Sequence, residues 1–411
     1  MKKMLAGLLA VSMVGSASMA FAADTGKITV TVNGETVKTD VAPVMENDRI
    51  LLPMRAIFET LGCNVSYRVN DGKQFVTAFR GDKQVVLEIG KNEITVDGEA
   101  KALDVAAKIE NDRTLVPVRA VSEAMDADVS WNGETSTAEI TTKQGEHKIT
   151  SVTDEKAVKD EDGTVLMYIN YVYPVIENKD NNEYIAKIND EYKAYAEKFV
   201  ADAEEKTEDA KYLLNEMGKD KFRPYEFNLS YNVHMDRNGI LSITNYEFYD
   251  LGGAHPNTER SSKSFDLKNA KELTLSDVVI GDEDEMHTMV YDVFVKYFEE
   301  NSSDFSAEAA SELDKECDNV KFYLEDNNLV LYFDVYQVSS YAAGYPTVYL
   351  KYSKDFFKID VSAGDAEANT EENATVDETK SDETKSEDEV KTDETKTEET
   401  KTEAETEKVT E

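Results

Sequence analysis

The chain has 411 residues, with 84 acidic against 45 basic side chains and a formal net charge of −39. Phosphate backbones repel such a chain, which excludes nucleic-acid binding by charge neutralisation; basic partners and divalent cations are attracted instead. Only two cysteines, Cys63 and Cys317, are present, far too few for a disulfide scaffold, and a bridge between them is not expected.

The first 23 residues, "MKKMLAGLLAVSMVGSASMAFAA", read as a signal peptide. Two lysines precede a short apolar run, and Ala20-Phe21-Ala22 has the small-x-small form of a cleavage site. The run is diluted by serines, and no cysteine follows it as a lipoprotein anchor would require. No later segment approaches the ~18 consecutive apolar residues of a membrane helix. The expectation is a secreted, extracellular protein, wall-associated at most, that does not span the membrane after cleavage. At the other end, residues 361–411 carry repeats such as "DETKSDETKSEDEVKTDETK", with no aromatic residue. Such a segment buries too little surface to offset chain entropy, so a disordered acidic tail is expected. It has no sorting signal and no terminal hydrophobic anchor. About 335 residues remain, room for two or three domains.

Residues 24–145 contain an internal repeat. "ENDRILLPMRAIFETLGCNVSY" from Glu46 returns as "ENDRTLVPVRAVSEAMDADVSW" from Glu110, 64 residues later. Upstream, Asn33-Gly34 and Asp97-Gly98 mark hairpins. Pro53 and Pro117 suit the first turn of a helix, Met54, Ile57, Phe58 and Leu61 fall on one helical face, and Gly62 suits the position after the C-cap. Arg55 with Glu59 and Arg119 with Glu123 are i,i+4 pairs, and Arg49 and Arg113 read as hairpin braces. The paired Asn-Asp-Arg-x-Leu-x-Pro-x-Arg-Ala segments, each followed by Val-Ser-aromatic, resemble the copper amine oxidase N-terminal-like domain over residues 27–143. The resemblance implies a non-catalytic accessory module. "TNYEFY" at 244–249 imitates the oxidase quinone motif, but that chemistry needs copper on three histidines. The four here, His147, His234, His255 and His287, form no His-x-His pair. Tyr246 is therefore read as a strand residue, and no cofactor or metal is expected.

From Thr164 the pattern is α+β: antiparallel sheets with packed helices, in parts covering 155–258 and 259–360. "VLMYINYVYPVI" is a strand, and residues 183–200 place Tyr184, Ile188, Tyr192, Tyr195 and Phe199 on one helical face. "YEFNLSYNVHMDRNGILSITNYEFYD" turns at Asn238-Gly239, "EMHTMVYDVFVKYFEE" is a second amphipathic helix, and two or three strands close the domain. The stretches Gly253-Ala254-His255, Leu275-Ser276-Asp277 and Tyr341-Ala342-Ala343-Gly344-Tyr345-Pro346 resemble the extracellular part of the lysozyme-sensing anti-sigma factor and the accessory region of peptidoglycan deacetylases, over 160–355. The resemblance implies ligand capture at the envelope. The sigma-binding, membrane and deacetylase segments of those relatives have no counterpart here.

No catalytic residue emerges. There is no nucleophile elbow, no His-Glu-x-x-His and no phosphate loop. "DEDG" (160–163) and "GDEDE" (281–285) lack EF-hand spacing and read as a turn and a helix N-terminus. His234 reads as half-buried packing. For His255 in "GGAHPN" the turn reading leads, since Gly252-Gly253 permits positive φ and Pro256 fixes the exit. If the corner binds a ligand, the candidates are Gly253, His255, Asn257, Tyr249, Tyr341 and Tyr345. The partner is then an extracellular protein, with a basic lysozyme-like hydrolase as the lead, or a cell-wall glycan. An unrecognised wall-active hydrolase using His255 is the third reading.

Overall fold

In the computed structural model, the described residues run from 28 to 362, apart from 71, 254, 302–306 and 341–343. Residues 1–23, read as a signal peptide, lie outside them, as does the expected tail from residue 363 on; Val361 at its anticipated start is instead buried in the last core. The fold is α+β with mostly antiparallel sheets.

The two repeat copies carry the same elements in the same order. The first runs β1 (Thr29–Val32), β2 (Glu35–Thr36), β3 (Val44–Glu46), β4 (Arg49–Pro53), α1 (Met54–Thr60), β5 (Asn64–Asn70) and β6 (Lys73–Arg80). After β7 (Lys83–Glu88) come β8 (Glu93–Val96), β9 (Glu99–Ala102), β10 (Lys108–Glu110), β11 (Arg113–Pro117), α2 (Val118–Ala124), β12 (Asp128–Asn132) and β13 (Thr137–Thr141). Asn33-Gly34 and Asp97-Gly98 both take positive φ, as mirror-image hairpin turns demand. Asn47-Asp48 and Asn111-Asp112 do the same without glycine, so each Asn-Asp-Arg is a hairpin turn and not a strand end.

The copies meet through β4 and β11, antiparallel with Leu52 opposite Val116, its own repeat counterpart. A local two-fold therefore passes between them, and the arginines obey it. Arg49 pairs with Asp104 at 2.5 Å and Arg113 with Asp40 at 2.5 Å, each bracing the opposite copy. Pro53 and Pro117 fall one residue earlier than the helical reading. Each ends its strand and serves as N-cap, with ψ of 130° and 112°. Their missing N–H and fixed φ suit that junction equally. Met54, Ile57, Phe58 and Leu61 are buried as expected, and Gly62 follows the C-cap at φ +77°. The symmetry breaks at β7. It sits between β6 and β8, whereas their counterparts β13 and β1 pair directly and in parallel.

The next sheet has the order β14 (Ile149–Lys159), β15 (Val165–Ile176), β16 (Tyr225–Arg237), β17 (Ile240–Asp250), β18 (Asn257–Asp266), β19 (Lys271–Glu272). Only β15 and β16 pair in parallel, joined by the crossover helices α3 (Glu183–Glu204) and α4 (Thr207–Met217). Asn182 caps α3 by accepting from the N–H groups of Tyr184 and Ile185. The helix buries Ile185, Ile188, Tyr192, Ala196, Phe199 and Ala203 against one sheet face. The anticipated boundary at 258/259 falls inside β18, so the sheet is shared by both C-terminal parts. After α5 (Leu275–Val278), α6 (Glu283–Asn301) and α7 (Ala307–Glu316) comes a three-stranded sheet of β20 (Lys321–Glu325), β21 (Asn328–Tyr332) and β22 (Thr347–Lys351). Phe294 and Phe298 of α6 pack with Leu324, Leu331 and Val348 in the last core. Cys63 and Cys317 are free and buried in separate cores.

Candidate functional site

The six-stranded sheet presents two chemically different faces, because residues two apart share a face. On the helical face, Tyr195 and Tyr249 both donate to Glu247, and Lys263 reaches Glu191 at 3.2 Å. The other face is polar yet covered. Register aligns Asn170, Asn228, Phe248 and Thr258 in one row, and Ser230, Tyr246 and Arg260 in the next. The first module covers one part of this face: Ser230 Oγ donates to the Gly81 carbonyl at 2.8 Å, and the Phe79 and Phe248 rings lie 5.5 Å apart. The three-stranded sheet covers the rest: Ser262 Oγ donates to the Phe322 carbonyl at 2.6 Å and Leu324 N–H to Ser242 Oγ at 2.9 Å.

Between the first module and the sheet lies a cavity of about 190 Å³, lined by Phe79, Gly81, Asp82, Gln84, Asn228, Ser230, Tyr246, Phe248 and Thr258. Asp82 is exposed at its rim and Gln84 half-buried, while Asn228, Ser230 and Tyr246 form a buried floor. Asn228 Oδ1 accepts from Asn170 Nδ2 at 2.9 Å, and its own Nδ2 has no hydrogen-bond partner. Burial drives the Tyr246 phenol far above its ordinary range, so it is a neutral donor at every physiological pH.

Beside the cavity, on the same face, Arg260 is only 6 % exposed. Its guanidinium lies 3.7 Å from the Tyr332 ring centre and 4.5 Å from that of Tyr345, and Nη2 donates to Thr347 Oγ1 at 3.3 Å. Burial pushes the Tyr332 phenol up to about 12. The positive charge is therefore held by ring faces rather than by phenolates. His234 stacks on Tyr323 at 4.0 Å, and burial depresses its ring to about 3, as half-buried neutral packing requires.

The six sequence candidates do not converge. Gly253 and His255 are exposed in the β17–β18 turn, and Asn257 is exposed at the first position of β18. Gly252 alone of the two glycines takes positive φ, at +72°, with its N–H on Asp250 Oδ1 at 2.9 Å. The His255 ring nitrogen Nδ1 lies 3.0 Å from the Pro256 carbonyl oxygen. Tyr249 packs on the helical face, 6.0 Å from Phe227 and 6.5 Å from Phe199. Tyr345 lies on the opposite face, donating to the Thr258 carbonyl at 2.8 Å. Tyr341 is outside the described residues. The cavity residues Asn228 and Ser230 carried a signal in "YEFNLSYN": polar residues alternate with aromatic and aliphatic ones, as on a strand packed on both sides. Gln84 and Asp82 carried none, because they arrive from another module.

Asp282 closes a capping box with Glu285 at the start of α6, and Asp160 caps its own turn. Among the described residues no group of three His, Cys, Asp or Glu side chains is placed to hold a metal ion, and no described helix is long and apolar enough to cross a membrane.

Family models match the chain in three successive stretches: the copper amine oxidase N-terminal domain at 31–140, deacetylase PdaC at 160–258, and a domain of unknown function, DUF3298, at 276–353. The chain is 26 % identical over 194 residues to the peptidoglycan-N-acetylmuramic acid deacetylase PdaC of Bacillus subtilis. That alignment takes in 45 % of this chain and 38 % of the deacetylase, so the chain spans well under half of that relative's length. Among solved structures, a DUF3298 protein of Pseudomonas aeruginosa matches at 15 % identity and TM-score 0.38, covering 53 % of this chain and 96 % of that one. One from Bacteroides fragilis matches at 20 % identity and TM-score 0.35, covering 51 % and 91 %.

Proposed function

We propose that this chain, in which a copper amine oxidase N-terminal domain precedes PdaC and DUF3298 domains, is an exported, non-catalytic envelope protein that binds cell-wall glycan. The observation that carries the reading is the cavity between first module and six-stranded sheet. Three aromatic rings, Phe79, Tyr246 and Phe248, share it with Asp82, Gln84, Asn228 and Thr258. Rings pack on the C–H faces of sugars while carboxylate, amide and hydroxyl groups take their hydroxyls. The signal-peptide pattern of residues 1–23 supports export, and a relative named for peptidoglycan deacetylation supports the wall as target. The test is co-sedimentation with purified cell walls. The full chain is expected to sediment, and Asp82→Ala with Gln84→Ala, both at the rim, to weaken retention about tenfold. A wild-type chain left wholly in the supernatant overturns the reading.

The net charge of −39 favours a second reading, capture of a basic lysozyme-like hydrolase. Charge-driven capture is strongest at low ionic strength and fades as salt screens it. Titration with lysozyme at low and physiological salt tests it, and absence of heat or shift at low salt removes it.

A further inference from the structure

We propose that the chain forms a two-fold dimer in which β14 of one copy pairs antiparallel with β14 of a second, joining their six-stranded sheets edge to edge. β14 is the outer strand of its sheet and eleven residues long, and among the described residues no backbone hydrogen bond reaches its free side. None of its residues is buried, and Thr150, Val152, Asp154, Lys156, Ala157 and Lys159 are exposed. A long open edge of this kind is a template for another strand.

Which backbone groups face outward follows from the ladder. Glu177 N–H donates to the Lys148 carbonyl at 2.8 Å, and the same register continues with Ile149 opposite Ile176. Hydrogen-bonded pairs alternate in an antiparallel ladder, so Thr150, Val152, Asp154 and Lys156 turn their backbone groups toward β15. Ser151, Thr153, Glu155 and Ala157 turn theirs away. The Glu155 N–H fits this alternation, since it donates to the neighbouring Asp154 carboxylate at 2.8 Å.

The partner is a second copy because residues 152–158 complement themselves. With Glu155 on the two-fold axis, Thr153 and the partner's Ala157 form hydrogen-bonded pairs. Asp154 then opposes the partner's Lys156, and Val152 the partner's Val158, each twice by symmetry. A slide of two residues either way sets Asp154 against its own counterpart or Lys156 against its own, and like charges directly opposite are unfavourable. Val152, 40 % exposed in the single copy, gains apolar cover. Lys156 already meets Glu204 of its own α3, and an ammonium with three donors has room for a second carboxylate. On the other face the two Glu155 carboxylates approach at the axis, each held by Arg55 at 2.6 Å and Arg68 at 2.8 Å. The net charge of −39 on each copy opposes self-association, so the dimer is weak at low salt and strengthens as salt screens the long-range repulsion.

Sedimentation equilibrium of the full chain from roughly 5 to 500 μM, in about 20 and about 300 mM salt, reads the association. The average mass is expected to climb from monomer toward dimer with concentration, and to climb further in the higher salt. Thr153→Pro removes an outward N–H and no bond to β15, so circular dichroism should stay unchanged while association weakens at least about tenfold. Asp154→Lys should weaken it about tenfold although it reduces the net repulsion, and Asp154→Lys combined with Lys156→Asp should restore it. A chain that stays monomeric throughout overturns the proposal. A dimer that persists in Thr153→Pro lies on another surface and overturns it as well. If that variant does not fold, the charge exchange decides alone: a dimer indifferent to Asp154→Lys, or not recovered by the double exchange, overturns the pairing.

Discussion

His255 drew attention as one of four histidines, set between glycines and a proline. In the fold it is exposed at the β17–β18 turn and leans on its own neighbour's carbonyl. A surface turn residue with that environment moves stability by no more than about 0.5 kcal/mol when truncated. His255→Ala is expected to leave both melting temperature and wall retention unchanged, and lost retention with an intact fold would return the site to this corner. Arg260 is the contrasting case. Its charge lies under Tyr332 and Tyr345 with little solvent, where a cation over a ring contributes about 2 kcal/mol. Arg260→Ala removes that contact and opens a gap among the rings, so urea denaturation should show a loss of about 2–4 kcal/mol. Arg260→Lys should recover only part of it, because an ammonium lacks the planar stacking surface. A variant as stable as the parent would mean that the rings hold no charge in solution.

At the level of elements, close approach decides where the first module sits. Gly81, in the β6–β7 turn, takes φ +60°, and a Cβ there would come within 2.9 Å of Asn232 Cβ and 3.2 Å of Tyr246 Cε2. Gly81→Ala therefore combines left-handed strain with a clash against the side chains of Asn232 and Tyr246. A loss of about 2 kcal/mol is expected in thermal unfolding, together with weaker wall binding as the cavity shifts. Full stability would show that the turn does not touch the sheet. A pH dependence belongs to α6 and α7. His287 reaches Asp318 at 2.9 Å and Asp314 at 3.3 Å, and those carboxylates raise its ring above 6.5. A raised folded value means the link is fully present below about 6.5 and is lost as pH rises through the folded value. The protection factors of the α7 amides, exchange being corrected for its intrinsic base catalysis, should fall across that window and become pH-independent in His287→Asn; a flat wild-type protection profile would remove the link. Local patterns made most of these elements legible. The 64-residue repeat, the Asn-Gly turns and the face of α3 all follow from neighbours close in sequence. β14, α4 and α7 escaped notice, since "TSVTDEKAVK" and its like are short on apolar residues and form against partners elsewhere. The cavity was invisible for a similar reason: Gln84 and Asn228 come together only when one module docks on another.

For the whole molecule the question is whether that docking is firm enough to shape a site. The linker is held, because the Glu146 carboxylate accepts from the N–H groups of Asn238 and Gly239, both at 2.9 Å, and His147 meets Asp236 at 2.7 Å. The interface itself centres on Arg68. It is nearly buried, lies 3.6 Å from the Tyr168 ring, and pairs with Glu155 at 2.8 Å and Glu226 at 3.4 Å. Arg55 adds a second contact to Glu155 at 2.6 Å. Burial pushes the Glu155 carboxyl up, but hydrogen bonds from Arg68 and Arg55 outweigh it and leave the group below 4.5. A lowered folded value means that this pairing stabilises docking above about pH 4.5 and is lost as pH falls through the folded value. Glu226 works in the opposite sense, its carboxyl raised by burial, so removing Arg68 would leave a buried carboxylate unpaired. Breaking a buried pair from one side costs about 3–5 kcal/mol. The parent is therefore expected to unfold residues 28–362 in one calorimetric transition at neutral pH. Arg68→Ala should divide it in two, the first module melting separately, and retention on cell walls should weaken with the docking. One undivided transition in the variant, with wall retention intact, would mean that the shared cavity is held by apolar contacts alone and that Arg68 is dispensable to it.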